Sequence, residues 1–372
     1  MKVCHLTSVH PAEDIRILIK ECQTLAKAGH DVSLVVANTD SRSLYGVNVV
    51  GVESIVNNPI QRIFKSPKRV FETALKIDAD VYHFHDPELI PVGLKLSKKG
   101  KHVIYDVHED VPEQVLSKQW IPKPLRKLIS TTVEKVERYA SKRFSAVVTA
   151  TPTISKRFKT YNSNTVTVHN YPILNELIGQ ASENSNVEKQ GNKVIYIGGI
   201  TELRGIKEMV AAMEKVNSST EAELALAGKF APEQLKTELE TTTGWNYVNH
   251  LGYLNRDQVK SSLSESDIGL VLIHPEPRYV VSLPIKMFEY MSAGIPVIAS
   301  NFPLWKEIVE GDECGICVDP LNLEEIADAI KWLINNPEAA GEMGRNGRKA
   351  IEEKYNWEKE SETLINLYNN LD

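Results

Sequence analysis

The sequence predicts an α/β fold with two doubly wound parallel sheets, and three observations lead to this prediction. Short runs rich in Val and Ile alternate with segments of helical apolar spacing, which is typical of parallel strands covered by helices. The alternation stops around residues 171–192 and then starts again. The length of 372 residues is too great for one small domain and fits two or three.

The first half opens with a β-α-β unit. Strand 2–6 is followed by a helix over 15–28, which Gly29 ends, and by the β-branched strand 32–37. A right-handed crossover is expected for such a unit. The same alternation continues through helix 67–77, strand 81–84, helix 88–98, strand 102–106, helix 124–142, strand 146–149, helix 152–159 and strand 165–169.

The second half begins after a polar, turn-rich segment, 171–192, which is predicted to be a linker. Its strands are predicted over 193–197, 222–227, 247–251, 268–273 and 296–299. Its helices are predicted over 206–216, 232–241, 256–264, 284–293, 305–309, 323–335 and 337–355, and a spare last helix over 357–371. Ligands of such sheets bind outside the carboxyl ends of the strands, so we expect a site in a cleft between the domains.

Composition excludes several classes of protein. With 42% apolar and 25% charged residues, the chain is neither disordered nor collagen-like. Four cysteines form no disulfide framework, and Cys314 and Cys317 lack a second pair at zinc-site spacing, so they are predicted to be structural. The N-terminus does not resemble a signal peptide and no run of 18 apolar residues occurs, which predicts a cytoplasmic protein.

The net charge of −6 averages two unlike halves. Residues 1–172 carry 25 Lys and Arg against 17 Asp and Glu, whereas the rest of the chain carries 18 against 32. This asymmetry suggests an anionic partner for the first half only, two domains with different surfaces being the alternative.

The richest motif is 282–300, which combines a helix N-terminus with charged side chains. Pro284 suits the first turn of a helix, and the free amides of Ile285 and Lys286 then offer an anion site at the positive end of the helix dipole. Glu289, one turn later, is placed to accept hydrogen bonds from ribose hydroxyls. An ordinary amphipathic helix with an exposed Glu289 is the alternative.

As a whole, this string resembles the signature of the family 4 glycosyltransferases, also called glycosyl transferases group 1. Residues 289–297 match the second half of that signature, and the resemblance implies that Glu289 binds the nucleotide ribose. The first acidic position, which often contacts the donor sugar, is occupied by Val281. The sequence instead resembles the subgroup that reads Ser-x-Pro-x-Lys-x-x-Glu-Tyr-Met, with Lys286 at the added position.

A second stretch, 196–207, resembles the family's Gly-Arg…Lys-Gly loop, which holds the donor diphosphate. Gly198 and Gly199 permit close backbone approach, and Arg204 stands at the Lys position. Gly199 replaces the usual Arg, so Lys286 is a hypothetical source of the second positive charge. Two further donor contacts are suggested after neighbouring strands, and a structural role is the alternative for each: Lys229 and Leu254.

In the first half, polar clusters follow the strands. The resemblance places His108 near the transferred sugar, and Glu109 follows it in an Asp-x-His-Glu-Asp cluster. His85 and Asp86 end the preceding strand, where they would orient His108 or an acceptor hydroxyl. Three residues after the first strand are interpreted as acceptor or phosphate contacts, with Asp14 as a helix N-cap being the alternative: His10, Asp14 and Arg16.

The resemblance implies the GT-B architecture of two facing Rossmann-like domains: 1–170 with a returning helix over 357–372, and 193–356. It also implies a retaining hexosyltransferase that needs no metal or cofactor and uses a UDP- or GDP-sugar. The first domain would bind a glycan or lipid-linked acceptor, as in surface polysaccharide biosynthesis, and the second the donor. The alternatives are a nucleotide-sugar epimerase of this architecture and a sugar-binding protein of periplasmic type, against which the lack of an export signal argues.

Residues 112–145 suggest a further partner. Eight Lys and Arg with three Glu are interleaved here with Trp120 and several Leu and Ile residues, which suits the surface of an anionic membrane. A solvated helix face above a buried stripe is the alternative. We expect no nucleic acid partner, because aromatic residues are sparse and no recognition motif occurs.

Overall fold

The computed structural model describes residues 1–52, 59–118, 121–174, 176–177 and 192–371, and of 59–65 only the backbone. Most of the predicted linker and Trp120 lie outside these residues. The chain forms two compact units: Met1–Asn170 with Trp357–Asp372, here the N-terminal unit, and Tyr171–Asn356, the C-terminal unit. Among the described residues, no helix has both the length and the apolar character needed to cross a bilayer.

The N-terminal unit is built on one eight-stranded sheet. Its strands are β1 (Lys2–Thr7), β2 (Asp31–Ala37), β3 (Arg42–Leu44), β4 (Val47–Val52), β5 (Val81–Phe84), β6 (His102–Val107), β7 (Ala146–Thr149) and β8 (Thr165–Thr167). Their order across the sheet is β3-β4-β2-β1-β5-β6-β7-β8. All neighbours are parallel except β3 and β4, so strand order reverses at β1, between β2 and β5.

The helices of this unit are α1, with wide π-helical turns over Ile15–Cys22 that continue as α-helix over Gln23–Lys27, α2 (Pro59–Ile77), α3 (Ile90–Ser97), α4 (Val111–Ser117), α5 (Lys123–Ser141) and α6 (Pro152–Lys159). Three features were not predicted. Helix α2 begins eight residues before Pro67, α4 is an additional helix, and β3 and β4 form an additional hairpin. The hairpin turn is tight because Tyr45 and Gly46 both adopt positive φ, 52° and 78°.

The C-terminal unit has one six-stranded, fully parallel sheet. Its strands are β9 (Lys193–Ile197), β10 (Glu223–Ala227), β11 (Val248–Gly252), β12 (Ile268–Val271), β13 (Val297–Ser300) and β14 (Gly315–Val318), in the order β11-β10-β9-β12-β13-β14. Its helices are α7 (Ile206–Asn217), α8 (Gln234–Glu240), α9 (Arg256–Ser264), α10 (Pro277–Val280), α11 (Ile285–Ser292), α12 (Pro303–Val309), α13 (Leu323–Asn335) and α14 (Pro337–Glu353). Strand order reverses here at β9, between β10 and β12.

The last helix, α15 (Trp357–Asn369), belongs to the N-terminal unit. Trp357 Nε1 donates to Thr24 Oγ1 of α1 at 2.9 Å, and Glu360 accepts hydrogen bonds from the backbone N–H and the ring of His169. Together with the two sheets, this confirms the predicted class of two doubly wound α/β domains with a returning C-terminal helix. In each unit the reversal of strand order marks the edge where such sheets bind ligands.

Candidate functional site

In the N-terminal unit, polar side chains collect where β1, β5 and β6 end. The carboxylate of Asp86 lies at their centre, 2% exposed. It is 3.0 Å from His10 Nδ1 and accepts hydrogen bonds from Thr7 Oγ1 (2.8 Å) and the backbone N–H of Ser8 (2.6 Å). Burial opposes ionisation of Asp86, but the hydrogen bonds from His10 and Ser8 outweigh it and lower its pKa to about 2. The same contact with Asp86 raises the pKa of His10.

A second buried carboxylate, Asp106 on β6, lies beside His108. Asp106 Oδ2 is 2.8 Å from His108 Nε2 and 3.2 Å from His85 Nδ1, and Arg16 donates to both of its oxygens at 3.0 and 3.1 Å. Burial would raise the pKa of Asp106, but Arg16 and His108 hold it well below its usual range. Asp106 therefore remains ionised, and its carboxylate orients the rings of His85 and His108.

Four buried residues of this cluster are of the types that bind metals. Ligand atoms of Glu21, His83, His85 and Asp106 lie within 4.8 Å of one another. However, Arg16 lies 3.0 Å from a carboxylate oxygen of both Glu21 and Asp106 and already supplies positive charge between them. Both ring nitrogens of His85 are also within hydrogen-bond distance of other side chains. The cluster therefore fits a hydrogen-bonded network better than a metal centre.

The structure brings four of the predicted residues together: His10 and His108 have ring centroids 5.4 Å apart, and His85 and Asp86 complete the group. Three others take different places. Arg16 is buried beneath them, Asp14 caps α1 by accepting from Ile17 N–H, which was the alternative considered, and the exposed Glu109 accepts from Gln114.

Sequence reasoning missed five members of this cluster: His5, Glu21, His83, Asp106 and Tyr368. A signal for two of them exists. Asp106 and His108 are two residues apart at the end of one strand, as are His83 and His85, and residues i and i+2 share a face. No comparable signal points to Tyr368, which lies in the last helix.

In the C-terminal unit, three loops meet beyond β9, β10 and β11. Gly198 N–H donates to Ala227 O, Ile200 N–H to Lys229 O, and Gly228 N–H to Gly252 O. Gly228 is required because a Cβ there would lie 1.8 Å from Gly198 O. These hydrogen bonds hold the loop of Gly198 and Gly199, here called the glycine loop, against the loops that carry the predicted donor contacts Lys229 and Leu254.

Two cations face this glycine loop. Lys286 Nζ is buried without a hydrogen-bond partner among the described residues, 3.7 Å from the centre of the Tyr196 ring. A Cβ at Gly198 would lie 2.9 Å from Lys286 Nζ, and one at Gly199 would lie 2.9 Å from Arg204 Nη1. Burial, followed by the charge of Arg204, holds the pKa of Lys286 well below its ordinary range. An unpaired ammonium beside a guanidinium is the arrangement expected for an anion site.

Helix α11 adds backbone donors to the same place. It begins at Ile285, with Pro284 in the N-cap position rather than in the first turn, and no side chain caps it. The amides of Ile285 and Lys286 therefore have no partner within the helix.

Glu289, one turn into α11, is largely buried. Its Oε1 accepts a hydrogen bond from Arg256 Nη1 at 2.5 Å. Arg256 also donates to both oxygens of Glu176, at 2.6 and 3.1 Å. This bridge was not predicted, because Arg256 is far from both carboxylates in sequence.

The two remaining donor predictions differ in their surroundings. Lys229 is exposed and its Nζ lies 5.3 Å from the ring centre of Tyr253, which is 73% exposed. Leu254 packs partly buried against the apolar core.

Helix α5 carries an amphipathic surface, which we call the α5 surface. Five of its apolar side chains are 38–64% exposed: Leu125, Leu128, Ile129, Val136 and Tyr139. The same segment carries seven cations: Lys123, Arg126, Lys127, Lys135, Arg138, Lys142 and Arg143.

Comparison with known proteins places both units in one family. The family model Glycosyltransferase Family 4 matches residues 16–171, and Glycosyl transferases group 1 matches residues 179–350. An uncharacterised glycosyltransferase of Methanocaldococcus jannaschii is 27% identical over 183 residues, 49% of this chain and 46% of that protein. The MMP alpha-(1->4)-mannosyltransferase of Mycolicibacterium hassiacum is 23% identical over 78% of this chain and 70% of its own length. The chain thus spans about half the length of the first of these relatives.

Solved structures share the fold over the whole chain. Sucrose-phosphate synthase from Thermosynechococcus elongatus superposes with a TM-score of 0.80 at 19% identity, covering 100% of this chain and 99% of that one. HepE of Anabaena in complex with UDP-glucose gives 0.73 at 16% identity, covering 100% of both chains. These likenesses, the two family models and the two doubly wound units agree: the chain is a member of the group 1 glycosyltransferases of family 4, with the GT-B fold.

Proposed function

We propose that this protein transfers a hexose from a nucleotide-diphosphate donor, a UDP- or GDP-sugar, to a glycan or lipid-linked acceptor. In this proposal the anomeric configuration is retained and neither a metal nor a cofactor takes part. The observation that carries the proposal is the buried Lys286 Nζ, which finds no hydrogen-bond partner in the part of the chain that the structure describes and lies beside Arg204 and the glycine pair.

The C-terminal unit would hold the donor. A buried ammonium without a partner is destabilising, and a diphosphate bound at Gly198 and Gly199 would supply the missing acceptor. Lys286, Arg204 and the free amides of α11 would then stabilise the negative charge that develops on the departing diphosphate. Glu289, held by Arg256, would accept hydrogen bonds from the ribose.

The N-terminal unit would bind the acceptor, with His108 near the anomeric carbon and His10, His85 and Asp86 around it. The relatives support a hexose donor in a general way, since one is named a mannosyltransferase and HepE was solved with UDP-glucose. Retention of configuration and a role in surface polysaccharide assembly rest on the family resemblance.

A panel of UDP- and GDP-sugars, incubated with the protein and a set of glycan and lipid-linked acceptors, with and without EDTA, tests this function. We expect one donor to be consumed with release of the nucleoside diphosphate, also in EDTA, and an α-linked product from an α-linked donor by NMR. Epimerisation of the donor, an inverted product, or binding without turnover across the whole panel would each contradict the proposal.

We also propose that the α5 surface rests on an anionic membrane at the cytoplasmic face, which would bring the site to a lipid-linked acceptor. The observation behind this is the exposure of Leu125, Leu128 and Ile129 among seven cations. Flotation with anionic vesicles should recover the protein, and Leu128→Glu should abolish recovery. Equal recovery with neutral and anionic vesicles would refute this location.

A further inference from the structure

A continuous chain of hydrogen-bonding side chains runs from α15 to Asp106. His83 Nδ1 lies 2.9 Å from Tyr368 Oη, which lies 3.3 Å from His5 Nε2. His5 Nδ1 lies 2.9 Å from His85 Nε2, and His85 Nδ1 lies 3.2 Å from Asp106 Oδ2. All five side chains are buried, and α1, α15 and three strands enclose them, so water does not separate the partners.

The hydrogen bonds of this chain run in one direction. Asp106 is an anion paired with Arg16, so it accepts at every contact, and His85 must carry its proton on Nδ1. The Nε2 of a neutral His85 is then a lone pair, which requires His5 to donate from Nδ1. His5 Nε2 therefore accepts from the Tyr368 hydroxyl, whose oxygen accepts from His83 Nδ1.

The opposite direction fails at a single contact. It would leave a lone pair on His85 Nδ1 facing the carboxylate of Asp106 at 3.2 Å, with only the single Nε2–H of His108 to serve both acceptors. Burial also holds the pKa values of His5, His83 and His85 below the ordinary range, which agrees with three neutral rings.

The direction of the chain matters for His108. His108 Nε2 lies 2.8 Å from Asp106 Oδ2 but also 3.1 Å from His85 Nδ1. Because His85 Nδ1 carries a proton, it cannot accept from His108. Asp106 is then the acceptor for His108 Nε2–H, and Nδ1 of His108 keeps its lone pair.

We propose that Tyr368 of the last helix, acting through His5, is a positioning residue that holds the ring of His85 in place and, with it, the ring of His108, whose Nε2–H tautomer is set by Asp106. This inference rests on the proposed function, in which the Nδ1 lone pair of His108 would accept a hydrogen bond from a hydroxyl of the transferred sugar or the acceptor. The charged and titratable groups that face the chain are Arg16, Cys22 and Glu21 from α1, with Glu21 Oε2 3.9 Å from His83 Nε2, Cys4 of β1, His30 beside Tyr368, and Asp86 and His10 at the site.

Nitrogen-15 NMR of histidine-labelled protein tests the chain without any variant. We expect His5, His83 and His85 in the Nδ1–H form, which is the minor tautomer of the free histidine side chain, and His108 in the Nε2–H form, each assigned by substitution. Nε2–H signals for His5 and His85 would overturn the inference. One equivalent of tightly bound zinc in the purified protein would also overturn it, because histidine nitrogens that bind a metal ion direct lone pairs at it and carry no proton there.

Tyr368→Phe tests the link to the site. This variant removes only the hydroxyl between His83 and His5, so His5 Nε2 loses its donor and the rings of His5 and His85 are held less firmly. The nitrogen-15 signals of His85 should therefore shift, and kcat should fall about tenfold with little change in KM. The matched control is Tyr82→Phe, which removes a buried hydroxyl of the same unit that bonds only to the backbone at Ala74 and Ala79. The control should change neither the His85 signals nor kcat.

The two levels of this proposal fail separately. An unchanged His85 spectrum in Tyr368→Phe overturns the positioning role, whatever the reaction is. A shifted spectrum with unchanged kcat overturns the link between His85 and catalysis. Absence of transfer by the unaltered protein contradicts the proposed function while the NMR result for the chain stands.

Discussion

Asp106 in the N-terminal unit and Lys286 in the C-terminal unit are both buried ionisable groups beside the carboxyl ends of parallel strands, but their surroundings differ. Asp106 receives hydrogen bonds from Arg16, His85 and His108, so its charge is balanced inside the protein. Lys286 Nζ faces a glycine loop, the face of an aromatic ring and a second cation. The first group is held in place before any ligand arrives, whereas the second would gain its hydrogen-bond acceptor only from a bound anion in the proposed function.

Because of this difference, substitutions in the two places should affect different properties, protein stability in one case and ligand binding in the other. Substitutions around Asp106 should chiefly reduce stability, because they leave buried partners unpaired. Substitutions around Lys286 should chiefly reduce binding and turnover.

The largest effect on stability is expected for Asp106→Asn. It removes the anion of His85 and His108 and one of the two carboxylates beside Arg16, so the free energy of unfolding should fall by about 3–5 kcal/mol. Urea titration followed by circular dichroism measures this loss, and Asp40→Asn, at an exposed position, is the control. A loss below about 1 kcal/mol would show that the cluster does not depend on this charge.

The largest effect on turnover is expected for Arg204→Ala. Removal of one preorganised donor to a developing oxyanion costs about 10²–10³-fold in kcat, while the melting temperature should change little because Arg204 is partly exposed. Initial rates with the donor found in the sugar panel measure the loss. Lys207→Ala, a neighbouring surface cation paired with Glu202 and Glu238, should retain full activity. Near-normal transfer by Arg204→Ala would reject the donor site.

Asp86→Asn gives a smaller effect that depends on pH. The carboxyl pKa is lowered from 3.8 to about 2, so ionised Asp86 adds about 2 kcal/mol of stability, present above pH 4 and lost as the pH falls toward 2. The pKa of His10 is raised, so its share is present below pH 6.5 and is lost as the pH rises through the raised value. The gap in unfolding free energy between the two proteins should thus be widest near pH 5. A gap that stays constant from pH 5 to pH 3 would contradict the Asp86–His10 pairing.

Much of the fold follows from the sequence because the signals are local. The apolar periodicity and the positions of Gly and Pro predict β9, α7 and α11 to within one or two residues. Gly205, which precedes α7, and Gly294, which follows α11, both adopt positive φ. The β3–β4 hairpin was missed because glycines interrupt its short apolar run. Helix α2 begins at Pro59 and continues through Pro67, whereas the predicted helix starts at Pro67 because proline is disfavoured inside a helix.

Residues of the candidate site can be predicted only where they lie close together in the sequence and form a motif. The glycine loop and the start of α11 each form a motif, so Gly198, Arg204 and Lys286 could be named in advance. The partner of Glu289, by contrast, lies on α9, 33 residues earlier. Tyr368 lies 285 residues from His83 and 363 from His5, and such pairs become neighbours only through the fold.

Removal of the Lys286 ammonium should affect ligand binding and leave the stability of the free protein unchanged. Lys286→Met should weaken the binding of UDP only about tenfold, since the lost charge-assisted hydrogen bond is partly offset by removal of an unpaired buried ammonium. Isothermal titration calorimetry measures the affinity. The free protein should lose no stability, in contrast to Asp106→Asn.

The pH dependence of binding distinguishes this account from a merely steric effect of the substitution. The pKa of Lys286 is depressed in the free protein, and a bound diphosphate raises it again, so binding takes up protons. Between about pH 7.5 and about pH 8.5, where the phosphates of UDP are ionised and its base is neutral, affinity should therefore fall as the pH rises in the unaltered protein and stay nearly constant in Lys286→Met. Calorimetry in two buffers of different ionisation enthalpy should detect proton uptake only when Lys286 is present. If the affinity of both proteins for UDP changed with pH in the same way, Lys286 would not contact the phosphates. The difference between Lys286 and Asp106 would then be one of side-chain packing and not of ligand binding.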